Sequence, residues 1–282
     1  MAEQMSEQMA EPGAGAAFVE RKVEADGFTI RYLEAIPHSW PPSGGADPVV
    51  CIHGAGGLRL SPMHEALART RRVIAFETPG FGTSPPNERS RDMAELAGSL
   101  CAAVAALGIT SYNLMGTSFG GKLATHMALQ EGEKLKSLVL LSPAVFRPAA
   151  RPPMATAEER QKVMHAHPER FPLPPGNPQV ESKQETLVRR LIGPPRDAGL
   201  EEKLPGISVP TLVVFGTEDR LTPPEMARFY RQHYGNAHLM LIYDAAHLVD
   251  LDRPEAVTEV VGDFLERKEG FLVSQQSGVI HP

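Results

Sequence analysis

Gly116-Thr117-Ser118-Phe119-Gly120 constrains this chain more than any other stretch. Ser111 to Met115 ahead of it has a strand's composition, and Gly121 to Leu129 behind it reads as a helix. A serine between two glycines at a strand-to-helix junction sits on a very tight turn. The backbone there passes close to neighbouring elements, which only Gly or another small residue tolerates. The serine is left exposed at a strand tip, over the positive end of the following helix, where a developing negative charge is stabilised. Alone, the pattern is weak in a chain with 25 glycines. Its surroundings decide its worth.

The frame is legible on both sides. Phe18 to Ala25 and Phe28 to Ile36 are strand-like runs separated by Asp26-Gly27, a two-residue hairpin signal. After a proline- and glycine-rich loop over 37–48, Val49-Val50-Cys51-Ile52 is a short continuous apolar run, as in a strand buried on both faces. Ser61 to Arg69 reads as a helix with a serine cap and Pro62 at its first position. Val73 to Phe76 is the next buried strand, Ser90 to Leu107 an amphipathic helix closed by Gly108, and Leu138 to Leu141 another strand. Between 143 and 205 the alternation stops and prolines crowd in, leaving two helical stretches, Thr156 to His167 and Gln179 to Leu191. It resumes with a strand at Thr211 to Phe215, a helix at Pro223 to Tyr234, a strand at His238 to Tyr243 and a helix at Pro254 to Lys268. Repeated strand–helix units with apolar strands predict an α/β fold: a doubly wound, mostly parallel sheet with helices on both faces. The core is expected over 18–142 and 206–269, with a mainly helical insertion at 143–205 and flexible tails at 1–17 and 270–282.

Composition narrows the function classes. A net charge of −6 argues against nucleic acid or an anionic membrane surface as partner. No apolar run reaches the roughly 18 residues that span a bilayer, and the polar, acidic start lacks the pattern of a signal peptide. Cys51 and Cys101 read as buried free thiols, which points to a reducing, cytoplasmic location.

A serine hydroxyl is a poor nucleophile at neutral pH; it needs a base, usually histidine, itself oriented by a carboxylate. In a doubly wound sheet all three belong in loops at the carboxyl ends of strands. Glu218 and Asp219 follow the strand ending at Phe215, and His247 follows the strand ending at Tyr243. Directly after Ile52, His53-Gly54-Ala55-Gly56-Gly57 leaves backbone N–H groups free to point at an anion, without the pattern of a P-loop or a dinucleotide-binding turn. Pro79-Gly80-Phe81-Gly82-Thr83-Ser84 follows the strand ending at Phe76.

Together these signatures resemble the α/β-hydrolase fold superfamily, over about residues 18 to 268. The resemblance implies that Ser118 is a nucleophile, His247 its base and Asp219 the orienting acid, with Ala55 and Phe119 N–H as an oxyanion hole. Asp219 is preferred to Glu218 because its spacing to Pro223 matches the family loop. The chain departs from the family in having Ala246 where glycine is common and Glu77 where aspartate is frequent, and Ser142-Pro143 offers no alternative acid. The same resemblance makes 143–205 a lid and Phe81, Phe119, Phe146, Met154 and Leu248 pocket-lining residues. Arg147, Arg151 and Arg170 could meet a substrate carboxylate, although exposed lid arginine is the simpler reading.

A serine nucleophile argues against the relatives that use aspartate to open epoxides or haloalkanes. The expectation is hydrolysis of a small carboxylic ester or thioester through an acyl-enzyme. The alternatives are carbon–carbon bond hydrolysis of a ring-cleavage diketone, as in the similar meta-cleavage product hydrolases, or a ligand-binding receptor on the same fold. A small molecule is the expected partner, with no cofactor. No metal is expected either: HExxH and CxxC are absent, and His165 and His167 are two apart, on different helix faces. His53 and His126 read as structural. Oligomeric state is not legible.

Overall fold

A computed structural model of the protein describes residues 17–38, 40, 47–171, 176–268 and 270. The tails expected at 1–17 and 270–282 lie almost wholly outside them. In chain order the elements are β1 (Val19–Ala25), β2 (Phe28–Ala35), β3 (Val49–Ile52), α1 (Pro62–Leu67), β4 (Val73–Phe76), α2 (Met93–Ala106), β5 (Tyr112–Thr117) and α3 (Phe119–Glu131). They continue as β6 (Leu135–Leu141), α4 (Ala157–Met164), α5 (Pro178–Leu191), α6 (Ala198–Glu201), β7 (Thr211–Gly216), α7 (Ala227–His233), β8 (Ala237–Ile242), α8 (Val249–Asp252) and α9 (Pro254–Arg267).

The strands form one sheet in the order β1-β2-β4-β3-β5-β6-β7-β8. β2 is antiparallel to both neighbours, and from β4 to β8 every pairing is parallel. The hairpin turn at Asp26 and Gly27 has positive φ at both positions, 46° and 70°, which matches the twist of the strands it joins. Along the central strands successive side chains go to opposite faces. Val50, Ile52, Leu114, Leu140 and Phe215 pack on the side of α2 and α3, and Val49, Cys51, Met115, Leu141 and Val214 on the side of α1 and α9. Both faces are covered, which is why these strands read as unbroken apolar runs.

Among the described residues, the segment 143–205 adds no strand. β6 pairs directly with β7, and α4, α5 and α6 lie between them in sequence. Several boundaries differ from the expected ones, for local reasons. α2 starts at Met93 rather than near Ser90, because Asp92 accepts from Glu95 N–H (2.9 Å) as the cap. Ser90 is drawn into a turn by Asn87, which accepts its N–H (3.0 Å) and donates to its hydroxyl (2.9 Å). α4 stops at Met164 instead of His167, since His165 is extended and its ring is held by Asp252 at 2.8 Å. The stretch from Pro223 opens as a single 3₁₀ turn at Pro224–Met226 before α7 begins.

Candidate active site

The strand-to-helix turn after β5 holds Ser118 at φ 53°, ψ −114°, a conformation that L-residues adopt only when their surroundings impose it. The packing around it is what imposes it. A Cβ on Gly120 would lie 2.4 Å from the carbonyl oxygens of both Ile52 and His53, so α3 crosses β3 at a distance only glycine permits. Gly120→Ala is expected to destabilise the protein by about 3 kcal/mol or more, because the obstruction is backbone that cannot rotate away. Urea unfolding checks this; a midpoint within error of the parent would contradict the packing.

Three loops at the carboxyl ends of β5, β7 and β8 bring together Ser118, Asp219 and His247, which are 9%, 3% and 0% exposed. His247 Nδ1 is 2.9 Å from Asp219 Oδ2, and His247 Nε2 is 2.8 Å from Ser118 Oγ. A carboxylate only accepts, so Nδ1 carries the ring proton and Nε2 accepts from the serine hydroxyl. Asp219 Oδ1 accepts from Leu221 N–H (2.9 Å) and Thr222 N–H (2.8 Å), and Oδ2 also accepts from the Thr222 hydroxyl (2.8 Å). Burial pushes this carboxyl up, but the His247 imidazole and the bonds from His247 and Thr222 outweigh it and hold it below its ordinary range. Glu218 points elsewhere: its side chain is 42% exposed and lies near Arg220.

Phe119 N–H is the first of α3 and has no acceptor within the helix. Ala55 and Phe119 both border a cavity of about 390 Å³ that opens over Ser118. Next to Ala55, His53 ties two loops together: Nδ1–H donates to Gly54 O (2.7 Å) and Nε2 accepts from Thr78 N–H (3.0 Å). Burial lowers it to about 4, so it stays neutral and structural. Glu77 fills the position where aspartate is frequent in the family. It accepts from Ser84 N–H (3.2 Å) and hydroxyl (2.8 Å) and from Arg31 (2.9 Å), holding the 79–84 loop.

Phe119, Met154 and Leu248 line the cavity. Phe81 and Phe146 do not, and the expectation for them is corrected. Phe81 is fully buried, edge-on to His53 at 4.7 Å, and Phe146 is fully buried against Tyr230 at 4.8 Å. A large ring beside a strand tip gains more from complete burial than from facing an open cavity. Arg147 and Arg151 are on the cavity wall; Arg170 is not.

Asp252 gave no signal in the sequence, yet it joins the 143–205 segment to the His247 loop. Oδ2 accepts from Ala246 N–H (2.8 Å) and Ala166 N–H (2.9 Å), while Oδ1 pairs with His165 Nδ1 (2.8 Å). His165 and His167 thus serve different carboxylates, the second being Asp244 (2.7 Å). Among the described residues no group of three His, Cys, Asp or Glu is placed to hold a metal, and no helix is long and apolar enough to cross a membrane.

The same segment is tied to α3. Lys122, one turn beyond Ser118, donates to Ile192 O at the end of α5 (2.8 Å), and Arg147 donates to Gly193 O (2.7 Å). Burial, and then the Arg147 charge, lower Lys122 from 10.5 to about 8. The folded value lies below the unfolded one, so the unfolded chain binds more protons between the two and stability rises with pH across that window. Relative to Lys122→Met, the wild type should gain up to about 3 kcal/mol between about pH 8 and pH 10.5. Urea unfolding of both proteins along that pH range checks it, and a constant difference would contradict it.

The model of the alpha/beta hydrolase family matches residues 49–260. A 2-hydroxymuconate semialdehyde hydrolase of Pseudomonas putida is 27% identical over 252 residues, covering 79% of this chain and 88% of that protein. A pimeloyl-[acyl-carrier protein] methyl ester esterase of Vibrio atlanticus is 26% identical over 257 residues, covering 81% and 98%. Among solved structures, a serine hydrolase involved in carbazole degradation superposes with a TM-score of 0.71 at 24% identity, covering 89% of this chain and 99% of that one.

Proposed function

The chain belongs to the alpha/beta hydrolase family, and on that premise we propose that it is a serine hydrolase that cleaves a small carboxylic ester or thioester through an acyl-enzyme. The observation that carries this reading is the unbroken relay from Asp219 through His247 to the Ser118 hydroxyl, opening into a mostly apolar cavity. Ser118 Oγ attacks the carbonyl carbon as His247 Nε2 takes its proton. The tetrahedral oxyanion lies against the N–H groups of Ala55 and Phe119, two donors that need no reorganisation and are each worth on the order of 3 kcal/mol. His247 then protonates the leaving alcohol or thiol and afterwards takes a proton from the water that releases the acid. Residues 143–205 act as a lid whose contacts through Asp252 keep His247 aligned. The substrate is a small molecule. The two free, buried cysteines support a cytoplasmic location.

One observation favours carbon–carbon bond hydrolysis as a second reading. Arg147 is 8% exposed, lines the cavity, and among the described residues its Nε has no hydrogen-bond partner. A buried donor of that kind suits a substrate carboxylate, as a ring-cleavage diketone acid carries. The relative that acts on 2-hydroxymuconate semialdehyde points the same way, and the pimeloyl methyl ester esterase points to the first reading. Turnover of p-nitrophenyl esters of rising acyl length, with a ring-cleavage diketone assayed alongside, separates the two. Ester cleavage with a defined length optimum and little diketone turnover is the expected result; the reverse would give the enzyme to the carbon–carbon class.

A further inference from the structure

The cavity continues past Ser118 toward the face of the sheet covered by α1, α8 and α9, where Cys51, Ala75 and Met115 form apolar walls. Two polar side chains border this inner end, His64 of α1 and Asp250 of α8. They are 8% and 6% exposed, and among the described residues neither hydrogen-bonds to Ser118, Asp219 or His247.

Their hydrogen-bonding states follow from their neighbours. Ser61 N–H, at the cap of α1, donates to His64 Nδ1 (3.1 Å). An amide cannot accept, so Nδ1 presents its lone pair and the ring proton is on Nε2. Burial, only partly offset by Asp250, lowers the imidazole and keeps it neutral. Among the described residues Asp250 receives no hydrogen bond on its carboxylate and makes no ion pair with His64, although the two interact electrostatically. An acceptor and a donor thus face one cavity, both mostly withdrawn from solvent and both incomplete. Their polar atoms are not among the buried ones left without a hydrogen-bond partner, so they stay open to the cavity, where a ligand can reach them.

We propose that Asp250 and His64 form a hydroxyl-recognition subsite at the inner end of the cavity, selecting substrates that carry a neutral hydroxyl remote from the scissile bond. The hydroxyl donates to Asp250 and accepts from His64 Nε2–H, which satisfies both. A terminal methyl leaves both unpaired, a carboxylate is repelled by Asp250, and an ammonium has no lone pair to offer His64. This deepens the serine-hydrolase reading of the same cavity and rests on it.

Binding of matched methyl ketones, which present the carbonyl but cannot be hydrolysed, tests the subsite without turnover. Each pair has one chain length and ends in either a hydroxyl or a methyl group, and affinity is read by calorimetry in Ser118→Ala protein. At one chain length the hydroxyl ketone should bind about tenfold more tightly. Asp250→Leu should abolish or reverse that preference, and the near-isosteric Asp250→Asn should reduce it severalfold in case the leucine variant does not fold. Equal binding at every length, a preference that survives both substitutions, or tighter binding of an ammonium-ended ketone would overturn the proposal. Loss of ester turnover in wild type would instead count against the serine-hydrolase reading, which this binding comparison does not use.

Discussion

Replacing Ser118 with alanine should lower turnover of the best p-nitrophenyl ester by about 10⁵-fold or more, with the fold intact. The size of the effect follows from the arrangement of the three side chains. In the proposed mechanism every proton transfer by His247 follows from attack by the Ser118 hydroxyl 2.8 Å away. Without it no acyl-enzyme can form, and only the oxyanion donors and the cavity remain. Substrate binding should change little, since one small oxygen is removed from a cavity of about 390 Å³. Backbone strain gives an independent check. Alanine at this position keeps a Cβ at φ 53°, whereas glycine does not, so Ser118→Gly should be more stable than Ser118→Ala by about 1 kcal/mol. Single-turnover kinetics and urea unfolding of the two variants measure both effects. An alanine variant retaining a tenth of the parent rate would remove Ser118 from the chemistry.

Much of this arrangement was readable in the sequence because its parts are local. An apolar run such as Val49 to Ile52 encodes a doubly buried strand by itself, and two glycines around a serine encode a close crossing of helix and strand. The Asp26-Gly27 hairpin is just as local. The unreadable parts depend on long-range partners. A local exception is the start of α2, where Ser90 and Asp92 are both good helix caps and the Asn87 turn decides between them. Phe81 and Phe146 have the right chemistry for a pocket wall, but which way a ring turns depends on Tyr230 and His53, far away in the chain. Asp252 is one of 34 acidic residues in the chain. Its role exists only because Ala246, His165 and Ala166 converge on it. The placing of His64 and Asp250 on one cavity, 186 positions apart in sequence, is of the same kind, since nothing near either residue announces the other.

The two adjacent acids Glu218 and Asp219 carry the second large prediction. Asp219→Asn should lower kcat by about 10⁴-fold with little change in KM, while Glu218→Gln should leave both within about twofold. Asp219 Oδ2 is 2.9 Å from His247 Nδ1, so a carboxamide there can present its N–H₂ to the ring. The imidazole then protonates on Nε2, the atom that must accept from Ser118. Geometry is preserved while the proton is on the wrong side. Glu218, 42% exposed, has no such contact. Stability should report the same residue. The Asp219 carboxyl is held below its ordinary value, so the stability it contributes is complete above about pH 4 and is lost as pH falls through the folded value. Any thermal-stability advantage of the wild type over Asp219→Asn should therefore be largest near neutrality and shrink in acid. A glutamine variant at 218 that loses activity as severely as asparagine at 219 would place the orienting acid one residue earlier. It would also require the loop after β7 to turn its other carboxylate inward.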